Sequence, residues 1–157
     1  MTSQVLAKLT ALNLQLPQPA PPAANYVPWR KCGNQVFISG QLPMFNGEIQ
    51  YIGKVGKDID TQTAIKAAQL CGLNILAQLQ VACEGDLDQV VSCIRLGGFV
   101  NCIDSFTEQP QVINGASQLI IDVFGEKGMH ARAAIGTNAL PLGVAVEVDG
   151  IFEINSV

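Results

Sequence analysis

Charge is scarce in this 157-residue chain: only 14% of it is Asp, Glu, Lys or Arg, with 9 basic against 13 acidic residues and a formal net charge of -4 at pH 7. The basic residues never gather into a run, and a sequence pI near 4.8 offers no general attraction to a phosphate backbone, so nucleic-acid binding has little electrostatic support. Histidine occurs once, and the five cysteines, Cys32, Cys71, Cys83, Cys93 and Cys102, form no CxxC pair. No metal site is therefore expected. An odd number of cysteines in a chain long enough to be held by its core reads as small buried hydrophobes rather than as a disulfide framework. Long apolar runs are missing too. Nothing approaches the roughly 20 residues that cross a bilayer, and MTSQVLAKLTALNLQLPQPAPPAA lacks the basic start, apolar block and cleavage site of a secretion signal. A cytoplasmic protein is expected.

What the chain has in abundance is apolar material, 48% of its residues, with a mean hydropathy of +0.29. A chain of this length forms one domain that buries roughly 70% of its unfolded surface. The apolar surplus beyond that need points to surface covered by further subunits.

Periodicity divides the chain into elements. VLAKLTALNL places Val5, Leu6, Leu9, Leu12 and Leu14 at near-helical spacing and runs into the proline-rich LPQPAPPAA, giving a short helix and an extended connector over residues 1–25. NQVFISGQLP reads as a strand, and the Asn46-Gly47 pair in FNGEIQYIG reads as a turn into another. From Thr61 to Cys83 a stripe of Ala64, Ala68, Cys71, Ile75, Leu79 and Ala82 predicts a helix capped by Asp60 or Thr61 and ended by Gly85. DQVVSCIRLGGFVNC is a long strand, with Gly97-Gly98 marking a bulge or a close backbone approach. A second helix buries Val112, Ala116, Leu119, Ile120, Val123 and Phe124, and strands near 131–138 and 144–154 follow. This order is that of an α+β fold, a single sheet with two helices on one face.

In the last strand Val144, Val146, Val148 and Phe152 share one side, suited to helices, while Ala145, Glu147, Asp149 and Glu153 share the other. Alternation likewise groups Arg132, Ala134, Gly136 and Asn138, and both Arg132 and Glu147 are expected on the more polar register. An arginine among small residues has a hollow around it, suited to two-point capture of a small carboxylate. Glu147 between aliphatics has the setting of a proton carrier. An Arg132–Glu147 ion pair tying two strands together accounts for the same spacing.

Two stretches carry a family resemblance. HARAAIGTNALPLGVAVEV, with Arg after Ala, then LP, then Glu between aliphatics, and NYVPWRKCGNQVFISGQLP, with its Tyr-Val opening, Gly-Asn turn and SGQLP strand end, resemble the RidA (YjgF-type) family of imine and enamine deaminases from about Tyr26 to Glu153. The resemblance implies a chorismate-mutase-like α+β sheet in a homotrimer whose sheets form a central barrel, with sites between subunits. It implies hydrolysis of 2-imino acids to 2-keto acids and ammonia without a cofactor. Arg132 would clamp the carboxylate and Glu147 would activate water. Ser39 and Gly40 at the strand end, together with Ala134, would offer substrate contacts, with Gly40 and Ala134 using their backbones, and Tyr26 would close the pocket. Asn114 resembles a pocket asparagine, though a solvated helix residue fits equally. Ala134 replaces the family's widespread cysteine and His130 its proline, leaving for His130 either a rim position or a pocket role. Two other functions stay open: a noncatalytic trimer binding small carboxylates or a protein, which needs Arg132 but not Glu147, and an endoribonuclease, which the acidic pI and single histidine disfavour.

Overall fold

The computed structural model describes residues 3–22 and 24–156. After helix α1 (Gln4–Ala11), the chain forms β1 (Trp29–Cys32), β2 (Gln35–Gln41), the hairpin β3 (Met44–Phe45) and β4 (Glu48–Ile49), α2 (Thr61–Ala82), β5 (Val90–Asn101), α3 (Gln109–Phe124), β6 (Ala131–Thr137) and β7 (Val146–Ile154). One five-stranded sheet runs β1-β2-β7-β5-β6. Its pairs are antiparallel except β5 with β6, which α3 joins as a crossover. The expected α+β sheet is present, with α2 and α3 on one face.

Local signals explain most boundaries. Asp60 caps α2 by accepting from the Thr63 N–H at 2.8 Å, which satisfies one of the free donors at a helix start. Asn46 and Gly47 have φ of 49° and 88°, the left-handed pair that a tight hairpin demands. The second strand of that turn is only two residues long. β1 is a strand that alternation alone does not announce, because on this edge its side chains from Arg30 to Cys32 are all exposed.

Glycines set the closest approaches of α3 to the sheet and to α2. The Gly97-Gly98 step proves to be a close approach rather than a bulge; the register shifts of β5 lie at Val90–Ser92 and Cys93–Arg95. A side chain on Gly98 would run into Ile113 of α3. α2 and α3 meet at Gly115, which faces the Ile65 carbonyl, and Gly72, which faces Leu119. Four of the five cysteines are buried as expected, whereas Cys32 is exposed on the β1 edge. Ala145 departs from the expected alternation: it is fully buried, because the segment around Tyr51 covers it and the Tyr51 carbonyl accepts its N–H at 2.9 Å.

Gly115→Ala sets two effects against each other. Alanine favours a helix by about 1 kcal/mol, but the new methyl meets a backbone carbonyl that cannot swing away, and overpacking costs about 1–3 kcal/mol or more. We expect net destabilisation of about 1–2 kcal/mol, read as a lowered midpoint in urea.

Candidate functional site

Arg132 and Glu147 stand on opposite faces of the sheet, which corrects the expectation that they share a register. Arg132 pairs across the parallel ladder with Leu96, and Leu96 is buried beneath the helices. Glu147 pairs with Phe99, one position out of phase, and so faces the other way. With β5 between them, the two residues are about 10 Å apart across the sheet as well. No Arg132–Glu147 ion pair can form within one chain. Alternation sorts each strand into two sides, but only the pairing register says which side matches the neighbour's.

Arg132 reaches down the edge of the sheet to α3. Its Nη1 donates to Ser117 Oγ at 3.1 Å and its Nη2 to the Pro110 carbonyl at 3.2 Å. His130 completes the arrangement. Its Nδ1 lies 2.6 Å from the Gly128 carbonyl, and its Nε2 2.8 Å from Ser117 Oγ. A carbonyl only accepts, so Nδ1 carries a proton; where Nε2 carries none, the Ser117 hydroxyl donates to it. The serine lone pairs are thereby left for Arg132. His130 is thus joined to Arg132 through the Ser117 hydroxyl. Ser117, 8% exposed, is a partner that sequence reading missed; its only signal is a hydroxyl on the buried stripe of α3. Asn114 lies on the same helix between Pro110 and Ser117 and is exposed. Ala134 sits opposite Gly98 on the edge strand.

Glu147 belongs to a different group of residues. Its carboxylate lies against Gly40, where any side chain would overlap Oε1. The glycine is thus required for close approach. Partial burial, then the neighbouring Asp149 charge, push the Glu147 carboxyl above its usual range. Arg95 is not available to it, because the ion pair described on this face joins Arg95 to Asp149 at 3.7 Å. Glu153 accepts from Ser92 Oγ at 3.1 Å. Gly40 also lines a small hollow of about 60 Å³ with Tyr26, Pro28, Gln41, Leu42, Met44, Leu142 and the connector residues Ala20 to Pro22. Ser39 turns aside: its hydroxyl donates to the Val27 carbonyl at 2.7 Å, holding the segment that carries Tyr26. The structure therefore brings Tyr26, Ser39, Gly40 and Glu147 together, and separately Arg132 and His130, while Asn114 lines the groove between α2 and α3 with Lys66 and Gln118. Among the described residues no cluster of His, Cys, Asp or Glu could hold a metal ion, and no helix is long and apolar enough to cross a membrane.

A five-stranded sheet covered on one face by two helices, with a Gly40-backed glutamate on the other, defines a class of α+β fold for which relatives are known. The chain belongs to the family described as "YjgF/chorismate_mutase-like, putative endoribonuclease", which matches residues 6–153; this is the RidA-type family that its two motifs resemble. It is similar to the Agrobacterium tumefaciens protein Atu1372, of unknown function, at 48% identity and a TM-score of 0.88 over 96% of this chain and 93% of that one. It is also similar to an endoribonuclease, so described as putative, from Shewanella oneidensis, at 34% identity and a TM-score of 0.93 over 98% and 100%. E. coli TdcF, crystallised with bound serine, is more distant, at 26% identity and a TM-score of 0.60 over 88% and 95%.

Two outcomes follow. A carboxyl whose folded pKa is raised keeps its proton where the unfolded chain has lost it, so it costs stability as pH rises through that window. Glu147→Gln removes this cost; its melting temperature should equal or exceed wild type at pH 7, with the gap closing below the ordinary carboxylate range. Ser117→Ala strips partners from Arg132 and His130 at once, and a loss of about 1–3 kcal/mol is expected by chemical denaturation.

Proposed function

We propose that the protein hydrolyses 2-imino acids to 2-keto acids and ammonia. The observation that carries this reading is Glu147, a half-buried carboxyl with a raised pKa, set against a bare glycine and beside a hollow, with its nearest cation committed elsewhere. Such a group changes protonation state at little cost, which suits it to both proton steps. Water adds to the imine carbon while its proton passes to Glu147, and the C=N bond becomes a C–N single bond. The protonated carboxyl then delivers that proton to nitrogen. As the tetrahedral carbon collapses to C=O, Glu147 takes the hydroxyl proton and passes it to the departing nitrogen, which leaves as ammonia. Orientation is the remaining requirement, since an imine carbon is already electrophilic. Arg132 supplies it through the substrate carboxylate, with N–H groups beyond those given to Ser117 and Pro110. The serine bound to TdcF supports an amino-acid-like carboxylate as ligand.

Arg132 and Glu147 can touch one small substrate only if they come from different copies. Arg132 lies on the edge strand, and the uncovered face carries exposed Phe37 and Ile135, 41% and 50% accessible. We therefore propose a closed oligomer, a trimer, with each site between two subunits and the open faces turned inward. The ribonuclease reading, attached by name to the family and to the Shewanella protein, gains no support from a β7 face bearing Glu147, Asp149 and Glu153.

The test uses two inactive variants. Arg132→Ala and Glu147→Gln should each lose about 10²-fold or more in turnover, while Glu147→Gln still binds keto acid. Unfolded, mixed in equal amounts and refolded together, they should recover about one quarter of wild-type ammonia release, because random assembly gives that share of shared sites two intact residues. No recovery on mixing would place the site within one chain. Wild-type protein that binds keto acid without releasing ammonia would instead be a noncatalytic carboxylate-binding module.

A further inference from the structure

We infer that the N-terminal extension is a wall of the substrate site and makes the enzyme selective for imino acids with apolar side chains; this rests on the hydrolytic reading of Glu147. The hollow beside Gly40 is lined mainly by hydrocarbon, from Ala20, Pro21, Pro22, Met44, Leu42 and Leu142, with Gln41 and Tyr26 as its polar members and no charged group. Three substituents surround the reacting carbon: the nitrogen, the carboxylate and the side chain. Arg132 takes the carboxylate and Glu147 serves the nitrogen and water. The hollow continues from Gly40, against which Glu147 rests, and is left for the side chain.

The wall is built, not draped. Asp88 caps α1, its two carboxylate oxygens accepting from the N–H groups of Gln4 and Val5 at 2.8 and 3.0 Å and from Ser3 Oγ at 3.0 Å. Val5 and Leu9 are buried in the core. Further along, the Gln18 N–H donates to Asn46 Oδ1 at 3.0 Å. At the hollow itself, two buried amides one turn apart on α2 hold opposite walls. Gln78, 2% exposed, donates to the Ala20 carbonyl at 2.7 Å. Asn74, 1% exposed, donates to the carbonyls of Leu42 and Met44 at 3.3 and 2.7 Å, although its own Oδ1 is left without a partner. An unsatisfied buried oxygen is tolerated where the donors of the same group are needed. The rim carries a second irregularity. Leu142 has φ of 58° and is 65% exposed, so a bulky apolar residue occupies a backbone conformation that glycine adopts more easily. Neither exposure nor strain serves the fold there; an apolar rim for a ligand uses both.

The test compares imino acids made in place from alanine and from leucine by an amino acid oxidase, with ammonia release as the readout. Wild type should favour the leucine-derived substrate by about 10-fold or more in kcat/KM, the discrimination available to a pocket that gains a few methylenes. Two variants outside the catalytic pair alter the wall: Leu142→Gly, which also relieves the left-handed residue, and the double change Pro21→Ser with Pro22→Ser, both exposed positions. Each should cut that preference to about 3-fold or less through a raised KM for the leucine-derived substrate. Hydrolysis without preference, or a preference that neither variant moves, overturns the inference while the hydrolytic reading stands. A change in oligomer size with unchanged preference overturns it too, assigning the hollow to a segment of a second copy. Absence of hydrolysis for every imino acid removes both readings together.

Discussion

The parallel pairing of β5 with β6 is the constraint from which the arrangement of the site follows. Because α3 must carry the chain back to the starting end before β6 begins, the helix lies directly under the edge strand it precedes. The register then sets Leu96 beside Arg132 and turns the guanidinium toward α3 rather than toward Glu147. Pro110 and Ser117 receive it because they lie seven residues apart, two turns along one side of that helix. A slip of one residue would send Arg132 to the open face and turn Ala131 and Ala133, now exposed, toward α3. The same tight crossover requires Gly98 and Gly115, since the helix approaches both the strand and its companion helix too closely for a methyl group.

Much of this was legible in local sequence signals. The α2 stripe from Ala64 to Ala82 and its Asp60 cap, the Asn46-Gly47 turn, the buried stripe of α3 and the Val146, Val148, Phe152 alternation all arise from contacts within a few residues, and each has a periodicity to read. The facing of Arg132 was not legible, because a strand's own alternation is silent about the phase of its neighbour. Nor was the Ser117–His130 contact, which joins a helix to a residue 13 positions later only once the crossover has folded. β1 escaped notice since an exposed edge strand needs no apolar side. The proline-rich connector read as a spacer; that it lies along α2 depends on Gln78, whose amide looks from sequence like an ordinary polar position on a helix.

Charge is distributed on the open face with little left over. Arg95 goes to Asp149 and Ser92 to Glu153, so the middle strand's third acid, Glu147, sits at the end of the row with a glycine in place of a cation. For a chain with few charges this is a choice of position and not a shortage, as Arg132 is only two strands away and is tied to α3 instead. Pairing the two within a chain would lower the Glu147 pKa and work against its role as a proton carrier.

Departures from ordinary folding rules gather around one hollow. Glu147 is partly buried without a counter-charge, Leu142 is apolar, exposed and left-handed, and Asn74 keeps an unsatisfied oxygen while its donors hold the wall. Elsewhere α1 and α2 are capped by side chains and the Asn46-Gly47 pair forms the expected turn, although Tyr51 and Glu84 are also left-handed and Asn101 and Ser117 are buried polar residues. Natural sequences agree across levels except where something other than stability is selected, and independent irregularities rarely share one place by packing accident. Three of different kinds, electrostatic, conformational and hydrogen-bonding, meet at the surface between Gly40 and the N-terminal connector. The connector is therefore better understood as part of the site than as an appendage: it gives the hollow its third side, and the anchors that hold it cost a buried glutamine and a helix cap that a disordered leader would not need.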